Sequence, residues 1–146
     1  MDAEDAAAHG KTAWPPGLVE IGAIRFARRC YRFEETVRFY RDLVGLPLHE
    51  TFEASYGATG AIFALPGPSL TFELVQSDDP GAGDVHEQIC LYFPESRAQS
   101  AAQQRLRAAG VEPVKSHPYW EATGAVTYLD PDGHGVVFAP FVYGSQ

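Results

Sequence analysis

The segments GAIFALPGPSLTFELV, residues 60–75, and GAVTYLDPDGHGVVFA, residues 124–139, align with one another without a gap. Gly60 aligns with Gly124 and Ile62 with Val126, and a turn-forming stretch rich in proline and glycine falls at the same place in both segments. Apolar runs flank each turn, which predicts one β-hairpin per segment. The same pattern of a strand, a helix and a short strand precedes each hairpin, so the sequence predicts a duplicated unit.

Periodicity assigns ten elements to the two units. Strands are predicted at 19–26, 48–52, 61–65, 70–76, 88–93, 112–115, 125–129 and 135–141, and helices at 34–44 and 96–109. We expect a flexible tail over residues 1–17 and a single domain over 18–146, made of modules 18–77 and 85–143. One such module leaves a sheet face uncovered, so the two modules must pack together, which creates a cleft between them.

Composition excludes several classes of protein. The formal net charge is -8 over 146 residues, which argues against a nucleic-acid binder and favours a cationic or neutral ligand. No apolar run reaches the roughly 18 to 20 residues that a membrane span needs, and the acidic N-terminus differs from a signal peptide. A cytoplasmic protein is therefore expected. Cys30 and Cys90 are predicted to be buried free thiols.

Three stretches carry a resemblance to a known family. They are FYRDLVGLPL at 39–48, AAGVEP at 108–113 and YLDPDGHGVVF at 128–138. The chain resembles the vicinal oxygen chelate superfamily of glyoxalases, bleomycin-resistance proteins and dioxygenases, and within it a bacterial YycE-like subgroup. This resemblance implies an α+β fold, in which two tandem βαβββ modules form a curled mixed sheet around a cavity. It also implies that such domains often pair as homodimers.

Metal-dependent members of this superfamily hold one ion with four side chains, and the resemblance implies where these fall. The corresponding positions are Ala23, Glu73, Gln88 and Val137. Alanine and valine offer no lone pair, and two ligands rarely hold a catalytic ion, so we expect neither a metal nor another cofactor. An unorthodox site of His86 with Glu73 is the alternative.

Alternation along the predicted strands identifies further residues that would face the cavity. Arg25 would share a face with Ala23 and pair with Glu73, either to anchor a ligand or as a plain salt bridge. Gln88 and Tyr92 would share a face in the second module. All four residues, Arg25, Glu73, Gln88 and Tyr92, are candidates for ligand binding.

Aromatic residues outside the strands are the remaining candidates. Tyr119 and Trp120 precede the last hairpin, where a loop could close over a planar ligand, and Tyr56 lies in a glycine-containing segment with the same potential. Packing in the core or in a dimer is the alternative role for Tyr119 and Trp120. Asp130 and Asp132 are interpreted as turn formers and not as catalytic acids.

The first functional hypothesis is a metal-independent protein of the bleomycin-resistance type that binds or sequesters a small hydrophobic or cationic molecule. The second is an enzyme of the same fold, a lyase, isomerase or dioxygenase, with Glu73 as its base or with an atypical metal. The third is a structural homodimer with a vestigial cavity. Metal-dependent glyoxalase or dioxygenase activity is not expected.

Overall fold

A computed structural model describes residues 21–65, 69–81, 84 and 86–142. Its elements, in chain order, are β1 (Ile24–Cys30), α1 (Phe33–Arg38), a π-helical segment (Phe39–Val44), β2 (Leu48–Ser55), β3 (Ala58–Ala64), β4 (Leu70–Gln76), β5 (Ile89–Tyr92), α2 (Ser96–Ala102), α3 (Gln104–Ala108), α4 (Pro118–Thr123), β6 (Val126–Leu129) and β7 (Gly135–Ala139). The predicted tail over 1–17 lies outside the described residues. No helix in the described part of the chain is long and apolar enough to span a membrane.

The strands form two mixed sheets, one in each repeat. Sheet 1 has the order β1-β4-β3-β2, with β1 parallel to β4, and sheet 2 has the order β5-β7-β6, with β5 parallel to β7. The α+β class predicted from the sequence is confirmed. The strand predicted at 112–115 is reduced to a single bridge between Val114 and Thr127, so sheet 2 has three strands where sheet 1 has four.

The first helix begins and ends close to the predicted residues, although its second half is π-helical. Phe39, Tyr40 and Val44 are buried on its apolar face. The helix ends at Gly45, which has a φ of 90° and lies against the guanidinium of Arg105. A left-handed residue at a helix end favours glycine because it has no β-carbon to clash.

The first strand lies further along the chain than predicted. Residues 19–26 were expected to form it, whereas β1 spans Ile24–Cys30. Its later half contains Arg28 and Arg29, which interrupt the apolar pattern and indicate a loop when the sequence is considered alone. Cys30, however, is buried in the core, and Arg28 reaches a buried acidic partner in the second module.

The helix α4 was not predicted, because residues 116–120 were interpreted as part of a loop. His117 caps its first turn by accepting a hydrogen bond from the backbone N–H of Tyr119 at 3.1 Å, and Pro118 occupies the first helical position. Gly124 ends it with a φ of 80°. Proline at the start and glycine at the end are the usual boundary signals of a helix. The sequence therefore contained the signals that predict this six-residue helix.

Strand pairing corrects the alignment of the two hairpins. Ile62 lies opposite Glu73 in sheet 1, and Thr127 lies opposite Val137 in sheet 2. Because the sequence alignment matches Glu73 with Val137, the pairings make Ile62 correspond to Thr127 and not to Val126. The alignment without a gap is therefore wrong by one residue across the turn, because the second turn is one residue shorter than the first.

The first strands of the modules show a second difference in register. In sheet 1 Ala27 lies opposite Glu73, and in sheet 2 Cys90 lies opposite Val137. Because Glu73 is matched with Val137, Ala27 of β1 corresponds to Cys90 of β5. Residues earlier in the two strands then correspond at the same spacing from Ala27 and Cys90.

The two modules share one apolar core between their sheets. Tyr40 packs edge-on against Phe72 with ring centroids 5.1 Å apart, and both contribute to a cluster with Phe63. Tyr128 and Phe138 of the second module belong to the same cluster, with their rings 5.5 Å apart. The helix-facing sides of both sheets are therefore buried together, which leaves the opposite sides of the sheets for other contacts.

A buried carboxylate joins the modules at the end of β6. One oxygen of Asp130 accepts hydrogen bonds from the Tyr40 hydroxyl at 2.7 Å and from the Arg28 guanidinium, and its other oxygen accepts from the backbone N–H groups of Asp132 and His134. The Asp130 side chain is fully buried. Burial, together with the negative charge of Asp130, raises the pKa of Tyr40 well above its usual value. Asp130 therefore forms the predicted turn and also connects the modules.

Replacing Asp130 by alanine tests this junction. The substitution leaves the Arg28 guanidinium without its buried partner, and we expect the free energy of unfolding to fall by about 3 to 5 kcal/mol. Asp79→Ala is the matched control, because Asp79 pairs with Arg29 while 54% and 67% of their side chains stay exposed. That change should cost about 0 to 1 kcal/mol. Urea denaturation followed by circular dichroism measures both, and equal small losses would contradict the assignment.

The two cysteines are free thiols, as the sequence predicted. Cys30 is 1% exposed in the shared core, and Cys90 is half-buried on the other side of sheet 2. Burial raises the pKa of Cys30 to about 11 and also raises the pKa of Cys90. Neither thiol is therefore activated as a nucleophile, since the reactive species is the thiolate.

Alkylation of the folded protein tests the burial of Cys30 and its raised pKa together. With a pKa of about 11, roughly one thiol in a thousand is ionised at pH 8. The unfolded chain, with a thiol pKa of about 8.5, should react with iodoacetamide far faster. Because the raised pKa favours the protonated thiol in the folded state, its contribution to stability declines as the pH rises above about 8.5. Peptide mapping measures the labelling. Equal labelling of Cys30 in folded and urea-unfolded protein would contradict the expected slow reaction of this thiol in the folded state.

Candidate functional site

An apolar cleft of about 390 Å³ lies between the two modules. Phe26, Leu70 and Phe72 form one wall, on the helix-facing side of β1 and β4, and Gln88 and Ile89 at the start of β5 form the other. We call this site the inter-module cleft. Because residues of both repeats line it, the cleft expected between the halves is present.

The size and chemistry of the inter-module cleft suit a small organic molecule. Ligand pockets usually have volumes of about 300 to 1,000 Å³ and apolar walls with a few polar groups. Arg28 and Glu87 are the charged residues on its walls, and Gln88 adds an amide. Phe26 is 66% exposed, so its ring is available to a ligand.

Arg25 and Glu73 do not line the inter-module cleft. They share the opposite face of sheet 1, where Arg25 lies opposite Thr71 and its Nε donates a hydrogen bond to the Thr71 hydroxyl at 3.1 Å. Among the described residues no ion pair joins Arg25 to Glu73. Arg25 is exposed and Glu73 half-buried, so the expected pair across the cavity is not formed.

The strand registers also revise the comparison of metal-ligand positions. Gln88 lies two residues before Cys90, so it corresponds to Arg25 and not to Ala23 as the sequence alignment predicted. A guanidinium has no free lone pair and is always charged, so Arg25 is no better a ligand than alanine. The side chains with donor atoms at these positions remain Glu73 and Gln88.

These residues do not fit a catalytic metal ion. In the part of the chain that the structure describes, no group of three or more His, Cys, Asp or Glu side chains is close enough to hold one. The alternative site of His86 with Glu73 is not assembled either. His86 lines a different cavity, together with Lys115 and His117, and Glu73 does not reach it.

The aromatic residues proposed as a lip form part of the second module instead. Trp120 is 8% exposed and packs in a buried cluster with Val137 on the side of sheet 2 that faces away from the shared core. Its ring centroid lies 4.9 Å from that of Tyr119 and 6.4 Å from that of Tyr92. Core packing, the alternative weighed for Trp120, is therefore what the structure shows.

Tyr56 lies at the tip of the hairpin between β2 and β3, fully exposed and with a φ of 48°. Positive φ is unusual for a tyrosine and marks the tip as locally strained.

Of the residues predicted to bind a ligand, only Gln88 lines the inter-module cleft within the described residues, whereas Arg25, Glu73, Tyr56, Tyr92, Tyr119 and Trp120 do not.

Sequence analysis missed most of the cleft wall. Phe26, Leu70, Phe72 and Ile89 looked like ordinary core residues of predicted strands. One signal was available in the sequence: Phe26 lies on the first strand of its module, on the opposite face from its neighbours Arg25 and Ala27. The exposure of that ring, however, depends on β1 being an edge strand, which only the tertiary structure decides.

Known proteins resemble this chain both in sequence and in structure. The sequence pattern of the YycE-like C-terminal domain matches residues 87–140. The uncharacterised protein YycE of Bacillus subtilis strain 168 is 31% identical over 123 residues, which cover 82% of this chain and 88% of the relative. The crystal structure of a Bacillus subtilis YycE protein superposes with a TM-score of 0.73 at 29% identity, covering 82% of this chain and 89% of that one.

More distant structures share the fold alone. The fosfomycin-resistance protein FosX of Listeria monocytogenes, solved with Mn(II) and 1S,2S-dihydroxypropylphosphonic acid, has a TM-score of 0.61 at 14% identity and covers 84% of this chain and 92% of its own. Lactoylglutathione lyase of Agrobacterium tumefaciens has a TM-score of 0.58 at 18% identity and covers 85% and 93% of the two chains. The resemblance noted in the sequence is confirmed, and the chain belongs to the YycE-like family of the vicinal oxygen chelate fold.

Proposed function

We propose that this protein binds a small hydrophobic molecule in the inter-module cleft without the help of a metal ion. The observation that carries the proposal is the apolar volume of about 390 Å³ lined by both modules, with the Phe26 ring open to solvent at its edge. Covering that ring and the neighbouring aliphatic walls contributes about 25 cal/mol for each Å² removed from water. Binding then joins the two modules through a common ligand.

The chemistry of the walls favours binding over catalysis. The described residues of the inter-module cleft include no histidine, cysteine or serine, and its charged residues Arg28 and Glu87 lie against Asp130 and His134. The fold itself accommodates small molecules in its distant relatives, since FosX was solved with a phosphonic acid. Sequestration of a small hydrophobic compound, as a bleomycin-resistance type of protein performs, is the activity that these walls suit best.

Thermal-shift titration with neutral aromatic probes such as benzyl alcohol and indole tests the cleft. The melting temperature should rise with probe concentration, because the probe binds the folded state. Phe26→Ala should weaken the affinity about ten-fold, the size expected for losing one aromatic contact. Tyr56→Ala is the control, because Tyr56 is exposed but does not line the cleft. If neither probe shifts the wild-type protein, or if the control loses as much affinity, the proposal fails.

Metal analysis of the purified protein separates binding from metal-dependent catalysis. After growth with manganese, iron, nickel and zinc, we expect well under one tightly held ion per chain, since Glu73 and Gln88 provide too few ligands. Inductively coupled plasma mass spectrometry measures this. An ion content near one per chain would contradict the proposal and support an enzyme of the same fold.

We also propose a homodimer. Ile21, just before β1, is 55% exposed, and Ile24, the first residue of β1, is 47% exposed. β1 is an edge strand of sheet 1. Exposed apolar side chains on a strand edge are a favourable surface for a second copy. Light scattering coupled to size exclusion should report about twice the chain mass of 15.9 kDa. A single-chain mass at all concentrations tested would refute the dimer.

A further inference from the structure

A second cavity, of about 210 Å³, shares Gln88 with the inter-module cleft. We call it the basic cavity, and its lining residues are His86, Gln88, Lys115, Ser116, His117 and Thr127. Its described lining includes no acidic side chain, although the chain has 19 acidic residues and a net charge of -8. The nearby carboxylate of Asp84 accepts a hydrogen bond from the backbone N–H of His86 at 2.8 Å and does not line the cavity.

His117 lines this cavity, and its cap contact fixes which ring nitrogen can donate. Its Nδ1 accepts the backbone N–H of Tyr119 at 3.1 Å, in the cap of α4. A neutral imidazole carries its single hydrogen on the nitrogen that does not accept, so Nε2 of His117 bears the hydrogen. The Nε2–H group can therefore donate to an acceptor, whereas Nδ1 is already used by the cap.

A pair of buried hydroxyls provides a further donor. Ser116 Oγ and Thr127 Oγ1 lie 2.8 Å apart, and both residues are buried in the wall of the basic cavity. Two hydroxyls carry two hydrogens, and their mutual bond uses one of them. No second hydrogen bond joins either hydroxyl to another described residue, so one hydrogen is free for an acceptor. Lys115 adds a positive charge on the same wall.

We infer that the basic cavity binds the oxyanion of a small organic acid. Thr127 lies opposite Val137 on the side of sheet 2 that faces away from the shared core, so this inference adds a second binding site to the proposed function. Lys115, His117 and the free hydroxyl all donate, which matches the acceptor oxygens of a carboxylate or phosphoryl group. Gln88 adds an amide to the same lining. An anion replaces the cation that the overall charge suggested, because the local charge governs binding.

Four benzyl probes of similar size test the charge preference. Isothermal titration at one fixed ionic strength compares benzyl alcohol, benzylamine, phenylacetate and benzylphosphonate, because salt screens charge interactions. We expect at least one of the two acids to bind about ten-fold or more tightly than the alcohol, and benzylamine to bind most weakly. Tighter binding of either acid supports the inference, and their ratio distinguishes a carboxylate from a phosphoryl site.

Variants then locate the anion. Lys115→Gln should remove the advantage of the acids over the alcohol. His117→Asn should reduce it while keeping a good cap for α4, since asparagine is favoured at that position. Arg97→Gln is the control, because Arg97 is exposed on α2, its loss changes the net charge equally, and it does not line the basic cavity. Circular dichroism verifies that each variant is folded.

The outcomes separate this inference from the proposed function. If benzyl alcohol binds and the acids bind no more tightly, the basic cavity is not an anion site, whereas the apolar cleft is retained. Tightest binding of benzylamine would likewise overturn the inference. An equal loss of acid binding in Lys115→Gln and Arg97→Gln would show a general charge effect and no local site. If none of the four probes binds, both proposals fail.

Discussion

The carboxylate of Asp130 lies out of contact with water and uses both of its oxygens. One oxygen accepts from the backbone of its own turn, and the other accepts from Arg28 and Tyr40 of the first module. An unpaired charge at this depth would be strongly destabilising, so the contacts of Asp130 with Arg28 and Tyr40 favour the packing of the two modules against each other. The neighbouring Asp132 extends the junction by accepting backbone N–H groups of Tyr31 and Arg32.

The inter-module cleft follows from this junction. Arg28 holds the end of β1 against the second module, and Phe26, two residues earlier on the same face, points into the space between the modules. Phe72 belongs to the shared core and also lines this space, as do Leu65 and Ile89, which pack against that core. The far side of sheet 2 is filled instead by Trp120 of α4, so the two faces of the second module have different roles.

Sequence patterns identified the duplicated modules, the hairpins and the first helix, because these depend on local turns and on periodicity. They failed where a long-range partner decided the outcome. The later part of β1 contains Arg28 and Arg29, yet it pairs with β4, and Arg28 finds its buried partner in Asp130, about a hundred residues away in the chain. The gap-free alignment failed for a related reason, since a turn shorter by one residue leaves the hairpin pattern intact and still changes every pairing across it.

The candidate site shows the same division. Side chains without donor atoms are recognised by their identity, so the sequence alone indicated Glu73 and Gln88 as the donors among the expected ligand positions, and the register correction left both in place. Which side chains surround the cleft was decided only by the tertiary structure, since it depends on which strand edge is left free and on which sheet face α4 covers. Residue identity determines what chemistry is available, whereas burial and register determine which of these side chains meet.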